Sequence, residues 1–308
     1  MKSKALKREN TIGLIAPSSA AGKSKAQNCI EWVKSMGYRV KWGESIFEER
    51  GYLSGSDELR AHDINMMFGD SEVDAIFCIR GGYGTMRLLD EIDYDIIRNN
   101  PKIFIGFSDI TALHTAFFQK TGLITFHGPM LAGFAKKGLD SLSKYYMDRA
   151  LMIKEPLGEI INPPEFPIKA YNEGNATGKV VGGNLSLIAD TMGTPYELDT
   201  KDKILLIEEI GERPYKIDRM LLQLKLGGKF KDAAGIVIGD WTDCDPEEGK
   251  ESLTIDEIIE DIVVPSGKPI LSGYKIGHCT PNITIPIGTE AYIDCGNMRF
   301  TITEAAVS

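Results

Sequence analysis

The segment Lys102-Ile103-Phe104-Ile105-Gly106-Phe107-Ser108-Asp109-Ile110-Thr111-Ala112-Leu113-His114-Thr115-Ala116-Phe117-Phe118-Gln119 changes period halfway along. Its first part is a short apolar run bounded by Pro101, the pattern of a strand buried on both faces of a parallel sheet. From Asp109 onward Leu113, Ala116 and Phe117 recur at helical spacing. Ser108 therefore falls on a strand-to-helix turn at the carboxyl edge of the predicted sheet, with the Asp109 amide at a helix N-terminus. Such a turn can present a nucleophile and an oxyanion donor together, although Ile110 replaces the second glycine of G-x-S-x-G. The alternative is a residue that merely caps the helix.

Outward from this segment the pattern repeats. Thr11 to Pro17 reads as a strand, followed by a helix with Cys29, Trp32, Val33 and Met36 on one face and Gly37 at its end. Tyr38 to Trp42, Asp74 to Arg80 and Leu123 to His127 read as further strands. Helices are predicted over Asp57–Phe68 and through Leu88 and Leu89. Alternating strands and helices indicate an α/β domain with a parallel sheet. The run 154–177, with Pro156, Pro163, Pro164, Pro167, Gly158 and Gly174, reads as a linker. The expected organisation is thus a domain over 1–153, the linker, and a smaller domain over 178–308. In the last, strands are expected near Lys179–Val181, Ile204–Glu208, Ala234–Ile238 and Ile270–Ile276. Helices are expected near Leu185–Met192, Pro214–Leu226 and Ile255–Val263.

Bulk properties exclude several classes. The net charge of −9 argues against nonspecific nucleic-acid binding. Five cysteines without a Cys-x-x-Cys pair make no disulfide framework and fit a reduced, cytoplasmic setting. The apolar run Ile12–Ala16 is too short for a signal peptide, and no stretch is long enough to span a membrane. Pro17 to Ser24 nearly spells a phosphate-binding loop, but Pro17 lacks the N–H that the first glycine would supply.

Gly81-Gly82-Tyr83-Gly84 follows a strand at the same predicted sheet edge as Ser108, and serves either to bring amides near a ligand or as a tight turn. Of the four histidines, His62 and His114 fall in helices, whereas His127 and His278 follow strands and either could act as a base. Glu208 and Glu209 end a strand and point to opposite faces, so one can orient that base. No metal-ligand spacing is present, and neither a metal nor another cofactor is expected.

The ordered set Arg80-Gly81-Gly82-Tyr83-Gly84, Gly106 to Leu113, Phe126-His127-Gly128-Pro129, Gly182-Gly183-Asn184-Leu185, Ile207-Glu208-Glu209, Glu212 to Tyr215 and Gly277-His278 resembles the LD-carboxypeptidase family across nearly the whole chain. The resemblance implies a flavodoxin-like N-terminal domain and a smaller, strand-rich C-terminal α/β domain. It implies a cytoplasmic serine peptidase that trims murein tetrapeptide in cell-wall recycling, commonly as a homodimer, without nucleic acid or membrane as partner. Ser108 then matches the nucleophile, Glu208 the acid and His278 the base, with a cleft between the domains that supply them. Gly82 and Asp109 match the oxyanion amides, and Asn184 a site-lining position. Arg80 is a candidate ligand for the substrate carboxylate, with a structural ion pair as the alternative. His127 becomes a structural neighbour. The same family includes microcin C self-immunity peptidases acting on an aminoacyl-nucleotide. An α/β-hydrolase esterase and a nonenzymatic two-domain small-ligand-binding protein are the readings from other classes.

Overall fold

The computed structural model describes residues 1–308, which divide into two compact units. The first comprises Met1–Glu155, Ile283–Gly288 and Ala305–Ser308; the second comprises Pro156–Asn282 and Thr289–Glu304.

In the first unit, β1 (Thr11–Ile15), β2 (Arg39–Trp42), β3 (Ala75–Cys78), β4 (Ile103–Gly106) and β5 (Thr125–His127) form a parallel sheet in the order β5-β4-β3-β1-β2. This is the flavodoxin-like order. Every residue of β1, β3, β4 and β5 is buried, which is why these segments are nearly continuous apolar runs. Helices are held at their ends by local chemistry. Ser56 accepts from the Leu59 amide to start Asp57–Gly69, and Gly122, at φ 75°, ends Thr111–Thr121.

A strand from the far end of the chain, Ile285–Ile287, completes this sheet antiparallel to β5. The C-terminal block expected over 178–308 is therefore interrupted, because Ile283–Gly288 and Ala305–Ser308 pack with the first unit. One helical expectation also differs: the segment after Gly84 is only a 3-10 turn, Thr85–Leu88. A further helix, Ser141–Met152, capped by Asp140, lies outside the expected ones.

The second unit is built on an eight-stranded mixed sheet. Its strands include β6 (Pro156–Glu159), β7 (Lys169–Asn172), β8 (Asn175–Asn184), β9 (Ile204–Ile210), β10 (Gly235–Thr242) and β11 (Ile270–Ser272). Strands β8 to β11 run parallel, β7 pairs antiparallel with β11, and Glu290–Asp294 pairs antiparallel with both β8 and Arg299–Ala305. The run 154–177 thus supplies the two edge strands, where prolines are tolerated because one side of the ladder is unpaired. Strand β11 stops short of Ile276 because Gly273 turns the backbone to φ 95°.

Candidate active site

In the first unit, Ser108 opens a 3-10 turn directly after β4, with the Thr111–Thr121 helix following. Its φ of 64° is a left-handed conformation that costs a residue with a Cβ on the order of 1 kcal/mol or more. Strain of this kind lifts the side chain away from the strand, as a nucleophile requires. The Gly81-Gly82 backbone passes close by: a Cβ at position 81 would lie 3.3 Å from Ser108 Oγ. Gly82, at φ 115°, is exposed beside it.

A buried network ties these two loops together. Asp109 Oδ2 accepts from Ser18 Oγ at 2.6 Å and from the Thr85 amide at 2.9 Å, while the Asp109 carbonyl accepts from Thr85 Oγ1 at 2.5 Å. Burial pushes the Asp109 carboxyl above its usual range, and these donors oppose the shift. The Asp109 side chain thereby joins the turn carrying Ser108 to the glycine loop and to the end of β1. Arg80 is engaged with backbone, its guanidinium donating to the carbonyls of Gly81 at 3.2 Å and Ala20 at 2.7 Å. His127 is fully buried, its ring packed against Phe107 at 5.8 Å and His114 at 6.3 Å. His62 is exposed.

In the second unit, His278 and Glu208 meet although they lie far apart in sequence: Nδ1 is 2.8 Å from Oε2. An ionised carboxylate only accepts, so Nδ1 carries the hydrogen in this pair. Glu208 is fully buried, and burial raises its pKa, with the His278 hydrogen bond as the main opposing effect. Gly277 is required beside it: at φ 117°, a Cβ there would collide with the Glu208 carboxylate. The β8–β9 register places Asn184 opposite Glu208. Glu209 points the other way, as alternation along β9 demands. It accepts from Asn184 Nδ2 at 2.9 Å, from the Ser186 amide at 2.8 Å and from Ser186 Oγ at 2.6 Å.

Sequence reasoning missed Ser18, Thr85, Ser186 and the supporting function of Glu209. A signal existed for Ser18 and Thr85, since both stand just beyond predicted strands at the same edge as Ser108. Nothing in the sequence indicated that Ser186, the second residue of its helix, would hold Glu209.

Comparison with known proteins places both halves of the chain in one family. Residues 12–128 match the LD-carboxypeptidase N-terminal domain, and residues 177–293 match the LD-carboxypeptidase C-terminal domain. A probable murein peptide carboxypeptidase of Bacillus subtilis is 43% identical, over 100% of this chain and 95% of its own length. Among solved structures, the microcin C7 self-immunity protein MccF with aspartyl sulfamoyl adenosine superposes with a TM-score of 0.91 at 26% identity, covering 100% of both chains. Muramoyltetrapeptide carboxypeptidase from Oxalobacter formigenes gives 0.83 at 26% identity, covering 95% of this chain and 97% of that one. A strand-to-helix serine in one half, a buried histidine–glutamate pair in the other, and family matches to both halves lead to one conclusion: the chain is a peptidase of the LD-carboxypeptidase family.

Proposed function

We propose that this chain is a serine-type LD-carboxypeptidase that removes the terminal D-alanine from murein tetrapeptide during cell-wall recycling. The observation that carries the reading is the 2.8 Å pairing of His278 Nδ1 with buried Glu208, which orients the imidazole as a general base requires. In this proposal the first unit supplies Ser108 and the amides of Gly82 and Asp109, and the second supplies Glu208 and His278. Ser108 Oγ attacks the carbonyl of the scissile L,D peptide bond as His278 Nε2 takes its proton, and Glu208 stabilises the resulting imidazolium. The two amides hold the oxyanion, each worth about 3–4 kcal/mol in comparable sites. The tetrahedral intermediate collapses, the C–N bond breaks, and His278 gives its proton to the departing D-alanine amine. Water, deprotonated by His278, then releases the acyl group from Ser108.

Asn184 is kept in the proposal as a site-lining residue on the family resemblance alone, since its side chain is buried and donates to Glu209. Arg80 is assigned to the substrate carboxylate through the loop it braces. Cytoplasmic location is part of the proposal, supported by five free cysteines and by the absence of any helix long and apolar enough to cross a membrane. The net charge of −9 argues against nonspecific nucleic-acid binding, and the small-peptide partner rests on the family resemblance. A homodimer belongs to the proposal on the family resemblance alone.

The test compares kcat/KM for the tetrapeptide with that for peptides ending in L-alanine or in D-alaninamide. The proposal expects D-alanine release from the first and far slower cleavage of the other two. Equal rates on the D- and L-terminal peptides would reject it. The structural similarity to MccF favours a second reading, hydrolysis of an aminoacyl-nucleotide by the same three residues. Turnover of an aminoacyl sulfamoyl adenosine without turnover of the tetrapeptide would establish that reading instead.

A further inference from the structure

The first unit has a second concavity, at the opposite edge of its sheet from Ser108. A cavity of 830 Å³ lies where β1, β3 and β4 begin, with Asp74 and Lys102 each immediately preceding a strand. That volume lies within the range of small-ligand pockets. Lys2, Lys4, Lys7, Lys102 and Lys154 line it, against two carboxylates, those of Asp74 and of the last residue, Ser308. Asp74 is already engaged, since its Oδ2 accepts from the Thr11 amide at 2.8 Å. On a chain of net charge −9, convergence of five lysines on one depression is a local reversal of field.

Lys102 gives the cavity a built element. Its side chain is only 6% exposed, yet it carries no carboxylate hydrogen bond: Nζ donates to the carbonyls of Met67, at 2.8 Å, and Asp70. Those bonds close the end of the Asp57–Gly69 helix, where a cation is favourable. An ammonium has three donors, so one remains after these two. Burial lowers its pKa to about 8, so the charge is poorly solvated and an anion in the cavity would favour it.

We propose that this cavity binds a small polyanion of phosphate chemistry, such as the pyrophosphate group of a phosphorylated metabolite. Lys102 supplies a fixed donor at the floor, and the exposed Lys4, Lys7 and Lys154 supply mobile charge at the rim. Lysine suits this role because it binds phosphate as a point charge from several directions, whereas planar carboxylates favour arginine. The site is independent of the peptidase reading, since it uses none of that reading's residues.

Isothermal titration of the full chain with sodium pyrophosphate tests it. Saturable one-to-one binding is expected, weakened at least about tenfold when salt rises from about 50 to 200 mM. The Lys4→Glu/Lys154→Glu double variant should weaken binding by at least about tenfold while hydrolytic activity and the circular dichroism spectrum stay unchanged. Should the double variant not fold, Lys154→Glu alone serves, with a loss of at least about threefold. No saturable heat, or affinity that neither variant alters, would overturn the proposal. So would lysine-dependent sedimentation with phosphatidylglycerol vesicles in place of pyrophosphate binding, which would assign the patch to a headgroup surface.

Discussion

His278 Nδ1 lies 2.8 Å from Glu208 Oε2, and the carboxylate that receives this hydrogen bond is fully buried. The pair spans seventy positions of sequence. It is closed by Gly277, where any Cβ would strike the glutamate. Removing the negative charge while keeping the shape separates catalysis from stability. Glu208→Gln is expected to lower kcat by roughly 10³–10⁴-fold, because the amide stabilises neither the correct tautomer nor the imidazolium. Since burial raises the Glu208 pKa, its charge is costly to the fold, and the melting temperature should hold or rise. Steady-state kinetics and thermal unfolding check both halves; a variant that stays active removes Glu208 from the mechanism.

Gly277→Ala should do the opposite. The backbone there is held at φ 117°, and the new methyl group has the Glu208 carboxylate in its way. A stability loss of about 1–3 kcal/mol is expected together with reduced turnover. Urea unfolding that matched wild type would show that the 277 region has room the structure does not provide.

Asp109 joins the turn carrying Ser108 to the glycine loop through Thr85. In Thr85→Val the hydroxyl donor to the Asp109 carbonyl is lost while the backbone amide still reaches Asp109 Oδ2. The carbonyl keeps a backbone amide donor from the end of its 3-10 turn, so losing the hydroxyl bond costs about 0.5–1.5 kcal/mol. The expected result is that much loss of stability and a fall in kcat with little change in KM, because in the proposed mechanism the Asp109 amide acts on the transition state. A rise in KM alone would place the network in substrate binding.

His114 sets a pH limit on folding. Its Nε2 donates to the Gly106 carbonyl at 2.8 Å within the core, and burial lowers its pKa from 6.5 to about 4. The unfolded chain therefore binds the extra proton between those values, so stability is full above pH 6.5 and declines as pH falls toward 4. The loss amounts to about 3 kcal/mol. Urea titrations across this window should show the decline in wild type and a shallower one in His114→Gln; parallel slopes would assign acid sensitivity to other groups.

Much of this was legible in the residues. The β4 segment and the helix after it could be read because β4 is buried on both faces, so its apolar run is unbroken, whereas the helix keeps a three-and-four spacing. Glu208 and Glu209 could be assigned to opposite faces by alternation, but their partners could not, because Asn184 and His278 reach them only through sheet register and a distant loop. The segment Ile285–Ile287 fell inside the block expected as the second domain for a related reason. Antiparallel pairing with β5 is a long-range choice that leaves no local periodicity behind. The Ser141–Met152 helix was legible too, with Asp140 as its cap and Tyr146, Met147, Ala150 and Leu151 at helical spacing, although it was not among the expected helices.

The most direct measurement is the intact mass of the enzyme mixed rapidly with murein tetrapeptide and quenched in acid. The account predicts a transient adduct equal to the peptide less D-alanine, mapped by digestion to Ser108 and absent from Ser108→Ala, with free D-alanine appearing in step. Undiminished D-alanine release by the folded Ser108→Ala variant would contradict it.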